Sequence, residues 1–308
     1  MNALVVSSGG SKGSYAGGII DYLSLNKTWD VFVGSSTGSL IVPLVAAGDI
    51  QSLKHVYTTI DSSDIFSRNP FIIKSNANGI FKYKMNHWNL LKNLFEDKKS
   101  FGTTYRLRNL ISKIFTEDHY NRIIESGKDV QICVTNLTLN TLEVKSIKDY
   151  DYENFCDWIW ASTCAPPFMS VVEKNNYDYV DGGLISPIPV KQAVLSGADD
   201  IDVIVLNKEE RDHKIEKVRN VLHLIQLVGR TMFYTQQMNN LDLHRLIKEV
   251  KIEHPANMSI YYTKRELTNN PLFFDKELME KWWEEGYQDA KEGTSSKFVL
   301  TKRYIRNI

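Results

Sequence analysis

The sequence lacks the features that mark secreted, membrane-spanning and metal-binding proteins. Its three cysteines are odd in number and show no CxxC or Cys/His spacing, so we expect neither a disulfide framework nor a zinc site. No apolar run approaches the roughly 20 residues that span a bilayer. The first residues do not follow the pattern of a secretory signal. We therefore expect a cytoplasmic protein, with peripheral membrane contact at most.

An excess of charge of one sign is also absent. Lys plus Arg and Asp plus Glu number 37 each, so no long-range field attracts nucleic acid or an anionic membrane. What the sequence does have is length and apolar content. Its 308 residues, 43% of them hydrophobic, suffice for a sizeable core. These properties predict a soluble globular protein that does not bind nucleic acid.

Repeated strand, turn and helix units predict an α/β fold. Residues 3–7 form an apolar run that ends in a glycine turn, and a helical pattern follows over 14–23. The second unit has a strand over 29–33 and a helix over 39–47, which Gly48 closes. Further strand candidates lie at 130–135, 142–147 and 201–206, the first two joined as a hairpin. Such units favour a mostly parallel central sheet with helices on its faces.

We divide the chain into a core over residues 1–206 and a C-terminal region over 207–308. Within the core, residues from about 61 to 127 are more polar and predict a helical insertion over the sheet, with helices at 88–95 and 105–115 and a loop at Asn76–Gly79. The C-terminal region is predicted to be helical and to pack on the core. One of its helices is expected to carry, on one face, Ile215, Val218, Leu222 and Ile225.

The stretch Gly34-Ser35-Ser36-Thr37-Gly38 lies between a predicted strand and a predicted helix. A nucleophilic serine needs such a bend, because flanking glycines allow close backbone approach and the helix N-terminus favours developing negative charge. Ser36 is therefore a candidate nucleophile, supported by Gly34 and Gly38. The alternative is a serine in an ordinary glycine-flanked turn.

A second glycine-rich stretch, Gly9-Gly10-Ser11-Lys12-Gly13, follows the first strand. In a parallel sheet the carboxyl ends of strands meet at one edge, so this loop can lie beside Ser36. Its backbone N–H groups are candidate donors to an oxyanion. Phosphate binding is the rival interpretation, but the stretch matches neither GxGxxG nor GxxxxGK[ST].

A serine nucleophile also needs a general base. The candidate histidines, in the Ser, Asp, His order of an α/β-hydrolase, are His213, His223, His244 and His254. None of them has a persuasive sequence setting. Asp181 is the better candidate, because it follows a strand-like run and precedes Gly182 and Gly183, which allow close approach to its carboxylate. An aspartate turn is an equally good interpretation of these residues alone.

In chain order, the glycine loop, the GxSxG stretch and Asp181-Gly182-Gly183 resemble the patatin-like phospholipase family. Residues 161–168, rich in small residues and proline, are similar to the family's segment before the aspartate strand. The resemblance covers roughly residues 3–206. It implies a three-layer α/β sandwich with a helical insertion over the site.

The same resemblance assigns roles to residues. It implies a Ser36/Asp181 dyad without histidine, and an oxyanion hole built from the amides of Gly9, Gly10 and Ser11. The resemblance further implies that Lys12 supports the loop or contacts a headgroup phosphate. No metal or cofactor is implied.

The activity implied is that of a phospholipase A-type lipid acyl hydrolase working through an acyl-enzyme on membrane or micellar phospholipid. The alternatives are a soluble carboxylesterase or thioesterase with the same dyad, and a catalytically dormant lipid-binding protein. Residues 71–73 and 88–95 are candidates for a lid or acyl channel, and Trp282-Trp283 for an anchor at the headgroup layer. A core position is the alternative for each of these apolar segments.

Overall fold

The computed structural model describes residues 1–75, 81–96, 99–209, 217–218, 221–241, 256–268, 270–293 and 295–300. Its helices are α1 (Gly13–Leu23), α2 (Thr37–Ala46), α3 (Ile50–Thr59), α4 (Ser62–Ile65), α5 (His87–Phe95), α6 (Tyr105–Ile114), α7 (Glu117–Ser126), α8 (Tyr152–Thr163), α9 (Val190–Leu195), α10 (Val221–Asn240) and α11 (Lys276–Lys291). Its strands are β1 (Asn2–Val6), β2 (Val31–Ser35), β3 (Phe71–Ser75), β4 (Phe81–Met85), β5 (Asp129–Asn136), β6 (Thr141–Ser146), β7 (Val172–Lys174), β8 (Tyr177–Asp181), β9 (Asp200–Val205), β10 (Ala256–Tyr262) and β11 (Ser296–Leu300).

In the part of the chain that the structure describes, nine strands form the central sheet, in the order β11-β10-β9-β1-β2-β5-β8-β7, with β6 also paired to β5. The neighbours from β10 to β5 are parallel, whereas the pairs toward both edges are antiparallel. This arrangement confirms the expected mostly parallel sheet. It also brings the carboxyl ends of β1 and β2 together, where the two glycine stretches begin.

Both faces of the sheet are covered, because successive side chains of its central strands enter two different cores. Leu4 and Val6 lie in an apolar cluster that includes side chains of α1, α2, α3, α8 and α11. Ala3 and Val5 lie in a second cluster, which includes side chains of α9. A parallel strand buried on both faces has no polar face, which explains the continuous apolar run at the start of the sequence.

The predicted strand, turn and helix units are confirmed as β1–α1 and β2–α2, although α2 begins two residues earlier than predicted. Gly48, predicted to close the second unit, has a φ of 76°. The predicted hairpin is also confirmed, since β5 and β6 pair antiparallel.

The insertion contains elements that are not predicted from the sequence: the antiparallel pair β3 and β4, and helices α4 and α7. The loop expected at Asn76–Gly79 lies outside the described residues. The predicted helices at 88–95 and 105–115 are present as α5 and α6.

The prediction that residues 207–308 are helical needs correction, because β10 and β11 extend the central sheet beyond β9. Pairing with an exposed strand edge is a long-range choice that local periodicity does not encode. The long helix also begins later than predicted: α10 starts at Val221, so Val218 precedes it, and Ile215 lies outside the described residues.

Candidate active site

Ser36 occupies a strained bend between β2 and α2. Its backbone has φ 55° and ψ −123°, in the region that L-residues other than glycine rarely adopt. Such strain is typical of a nucleophile elbow, where a sharp turn presents the serine at the edge of the sheet. This backbone favours the nucleophile over the ordinary turn serine.

Gly34 and Gly38 make this bend possible. A Cβ on Gly34 would lie 2.5 Å from the Gly38 carbonyl, and a Cβ on Gly38 would lie 2.2 Å from the Val6 carbonyl oxygen. Any larger residue at either position would therefore push α2 away from β1 or β2. The two glycines hold the start of the helix against the ends of both strands.

Asp181 ends β8, which pairs antiparallel with β5, the neighbour of β2. The Ser36 hydroxyl donates to Asp181 Oδ2 over 2.6 Å, and both residues are buried. The Gly183 amide donates to the other carboxylate oxygen, Oδ1, over 2.7 Å. The backbone of Asp181 is also held, because its N–H donates to the Cys164 carbonyl and its own carbonyl accepts from the Thr135 hydroxyl. The structure therefore brings the two predicted residues into direct contact.

Burial raises the pKa of Asp181 to about 7, and the hydrogen bonds from Ser36 and Gly183 partly oppose this rise. A carboxyl group with a pKa near neutrality is suited to accept and return a proton. The other predicted glycines lie close by. Gly182 packs against the Cys133 carbonyl, and Gly183 packs against the Ser8 hydroxyl.

Ser162 is a residue of this site to which the sequence analysis gave no role. Its hydroxyl donates to the Cys133 carbonyl over 2.7 Å and accepts from the Ser36 amide over 3.1 Å. A third bond, of 2.6 Å, joins it to the Ser39 hydroxyl. Ser162 therefore ties the elbow to β5. The only sequence signal was its place in the segment of small residues before the aspartate strand.

The glycine loop lies against the elbow, as expected. The Ser8 and Ser35 hydroxyls are hydrogen-bonded at 3.3 Å, and a Cβ on Gly13 would meet the Thr37 hydroxyl. The prediction for Ser11 needs correction, because its amide donates to the Pro271 carbonyl over 2.8 Å and is not free for an oxyanion.

Other donors at this edge remain available. Within the described residues, the Gly9 and Gly10 amides make no hydrogen bond to another backbone group. The Thr37 and Gly38 amides, at the start of α2, have no partner inside the helix, whereas the Ser39 amide donates to the Ser36 carbonyl over 2.9 Å. These amides lie at the same edge of the sheet as Ser36, and the N-terminus of α2 follows Ser36 directly.

Lys12 is buried, and its ammonium donates to Asn207 Oδ1 over 2.6 Å. Asn207 in turn donates to Gln237 of α10. Burial lowers the pKa of Lys12 to about 8, and Glu266 partly opposes this shift. The bond to Asn207 supports the loop, which is one of the two roles expected of this lysine.

Among the described residues, no group of three or more His, Cys, Asp or Glu side chains is placed to bind a metal ion. His213, His244 and His254, and the side chain of His223, lie outside the described residues. The three cysteines are buried and free.

No helix in the described part of the chain has the length and apolar character for crossing a membrane.

A model of the patatin-like phospholipase family matches residues 4–194. The chain belongs to this family. The matched range includes the glycine loop, Ser36 and Asp181, and the patatin-like phospholipases are lipid hydrolases, which supports lipid acyl hydrolase activity in general for this chain.

Comparison with solved structures supports the patatin-like fold. The crystal structure of VipD from Legionella pneumophila is similar with a TM-score of 0.50 and 15% sequence identity, over 96% of this chain and 68% of that chain. No curated protein matches the sequence.

Proposed function

We propose that this protein is a phospholipase A-type enzyme that hydrolyses fatty acyl esters of phospholipids through Ser36 and Asp181. The observation that carries the proposal is the 2.6 Å hydrogen bond from the Ser36 hydroxyl to the Asp181 carboxylate at a strained strand-to-helix bend. Membership of a family of lipid hydrolases supports the substrate class.

In the acylation step, Ser36 Oγ attacks the ester carbonyl carbon while Asp181 Oδ2 accepts the hydroxyl proton. The negative charge that develops on the carbonyl oxygen is stabilised by the amides of Gly9 and Gly10 and by the N-terminus of α2. When the tetrahedral intermediate collapses, Asp181 gives the proton to the departing alcohol. The products are a lysophospholipid and an acyl group bound to Ser36.

In the deacylation step, Asp181 removes a proton from water, which attacks the acyl-enzyme. Collapse of the second intermediate breaks the bond to Ser36, and the proton returns from Asp181 to the serine oxygen. The fatty acid leaves. Both steps need Asp181 ionised at the start, and a pKa of about 7 leaves a large share of it ionised at neutral pH.

The first experiment measures fatty acid release from mixed phospholipid vesicles by wild type, Ser36→Ala and Asp181→Asn. We expect each substitution to lower the rate by at least about 10³-fold, because each removes a group that acts in every step. Matched controls are Ser24→Ala and Asp149→Asn, which make the same exchanges away from the site and should retain wild-type rates. Circular dichroism checks that all variants fold.

Three outcomes separate the alternatives. Cleavage of a short p-nitrophenyl ester by wild type, without release from vesicles, favours a soluble esterase. Absence of labelling by a fluorophosphonate favours a dormant lipid-binding protein. Full activity of Ser36→Ala contradicts the proposed dyad.

A further inference from the structure

Helix α5 exposes three large apolar side chains and buries an asparagine. Trp88, Leu91 and Phe95 share one face by their spacing, and they are 83%, 47% and 88% exposed. Asn89 and Asn93 lie on another face, and Asn93 is only 1% exposed. The helix therefore directs its asparagines toward the protein and its largest apolar side chains toward solvent.

Hydrogen bonds hold the helix in this orientation. Asn93 donates to the Ser100 carbonyl over 3.1 Å and accepts from the Arg68 guanidinium, which also pairs with Glu96 at 2.8 Å. Asn89 donates to the Asn69 carbonyl over 2.8 Å. Rolling the helix to bury its apolar face would leave these polar groups unpaired. The exposed face is thus a stable property of the folded chain.

The composition around this face favours a lipid surface over a protein groove. Trp and Phe are the residues that interfacial helices place at the boundary between headgroups and acyl chains. Residues 71–100 also contain six lysines and only two acidic residues, in a chain whose net charge is zero. Lys99 is paired with Glu173 and Asp178, so the excess of basic charge comes from the other five lysines. Local basic charge of this kind attracts anionic phospholipid headgroups.

The insertion is also connected to the catalytic residues. The Phe101 amide donates to the Pro167 carbonyl over 2.8 Å, and the rings of Phe71 and Phe101 lie 5.3 and 6.1 Å from that of Phe168. This segment leads back to Cys164, whose carbonyl accepts the Asp181 amide. Residues 164–168 therefore connect the insertion to the proposed base, Asp181.

We propose that the outward face of α5, formed by Trp88, Leu91 and Phe95, inserts into the interface of anionic phospholipid bilayers and holds the catalytic edge of the protein at its substrate. The inference rests on the proposed phospholipid substrate. It adds the surface through which the enzyme reaches that substrate.

The tryptophans provide a direct test. Trp88 is exposed, whereas Trp29, Trp158, Trp160, Trp282 and Trp283 are each at most 9% exposed. Fluorescence quenching by vesicles of brominated phosphatidylcholine and phosphatidylserine should therefore report on Trp88. We expect quenching in the Ser36→Ala protein, which binds without turnover, and its loss when Trp88→Phe is added. Quenching that is unchanged by Trp88→Phe would overturn the proposal.

Vesicle sedimentation measures the affinity. In the Ser36→Ala background, Trp88→Ser/Phe95→Ser should weaken partition at least about tenfold, while Leu25→Ser/Leu195→Ser, an exchange of exposed leucines elsewhere, should not. We also expect weaker partition into vesicles of phosphatidylcholine alone. Equal partition of both double variants, or no partition of the parent protein, contradicts docking through α5. Docking on lipid is also contradicted if the protein does not bind vesicles and instead forms a concentration-dependent dimer that requires Trp88 and Phe95.

Failure of docking and failure of the catalytic proposal give different results. With Ser36 intact, the Trp88→Ser/Phe95→Ser variant should hydrolyse a soluble short-chain ester at the wild-type rate and vesicle lipid more slowly. If docking is wrong, both rates stay at wild type. If the dyad is wrong, Ser36→Ala retains hydrolysis whether or not α5 binds vesicles.

Discussion

Helices α5 and α11 both contain tryptophan, but they use it in opposite ways. In α11, Trp282 and Trp283 are buried, and the Trp283 indole donates to Asp21 over 3.2 Å. In α5, Trp88 faces solvent while Asn93 is buried. From the sequence, residues 88–95 are candidates for a lid or acyl channel, and Trp282-Trp283 for an anchor at the headgroup layer. The structure assigns the C-terminal pair to the core and leaves the α5 face exposed.

The difference comes from the partner that each helix meets. Trp283 packs against α1 at Gly17 and Gly18, where a Cβ would lie 2.1 Å and 1.9 Å from Trp283 atoms. The absent side chain of Gly17 makes room for the indole, and that of Gly18 makes room for the backbone carbonyl of Trp283. Helix α5 instead meets the polar groups of Arg68 and Asn69, so its asparagines face inward. Aromatic content alone therefore does not predict which face a helix buries.

The largest expected effect is on the free energy of unfolding, and it differs between a tryptophan of α11 and the tryptophan of α5. Trp283→Ala should lower the free energy of unfolding by about 3–5 kcal/mol, because it leaves a cavity between α1 and α11. Trp88→Ala should change it by less than about 0.5 kcal/mol. Urea unfolding followed by circular dichroism measures both. If Trp283→Ala does not fold, Trp283→Phe should show a smaller loss of unfolding free energy. Equal changes in unfolding free energy at positions 283 and 88 would contradict the comparison.

Asp181 is the polar counterpart of the exposed apolar side chains of α5, because its carboxyl group is buried away from water. Its folded-state pKa is raised to about 7, so the fold favours the protonated form. The contribution of protonated Asp181 to the free energy of unfolding is fully present below the ordinary carboxyl pKa. It is lost, by roughly 4 kcal/mol, as the pH rises through about 7. Hydrolysis should change in the opposite direction and rise over the same range, because the base must be ionised.

Urea unfolding and initial rates at a series of pH values test this pair of trends. In Asp181→Asn, the part of the stability loss between about pH 4 and 7 that belongs to this carboxyl should disappear. The Lys12 ammonium, with a pKa of about 8, titrates above this range. A stability profile identical in wild type and Asp181→Asn is incompatible with a buried, protonated Asp181.

The smallest expected effect concerns the inward face of α5. Asn93→Ala should destabilise the protein by about 1–3 kcal/mol, because it leaves the Ser100 carbonyl without its donor and takes one acceptor from Arg68. Lys92→Ala, on an exposed position of the same helix, serves as the control and should be close to neutral. An unchanged urea midpoint in Asn93→Ala would mean that these contacts do not orient the helix.

Much of the candidate active site could be predicted because its requirements are local. A serine between Gly34 and Gly38 after an apolar strand, and an aspartate between a strand and two glycines, mark Ser36 and Asp181 as candidates. Their order along the chain after the glycine loop favours both over ordinary turn residues. Ser162 was missed because a helical serine carries no local sign of its partners. The role of Ser11 was misjudged because Pro271, 260 positions later, takes its amide.

The sequence alone was sufficient for the α/β class, the family resemblance and the candidates Ser36 and Asp181, because these depend on short motifs and on the periodicity of single elements. Three features depend on segments distant in the chain: the 2.6 Å contact of the dyad, the addition of β10 and β11 to the sheet, and the outward face of α5. Each is a contact between two segments, and the free energy of such a contact depends on both of them. No local pattern contains it, and only the folded chain brings both partners together.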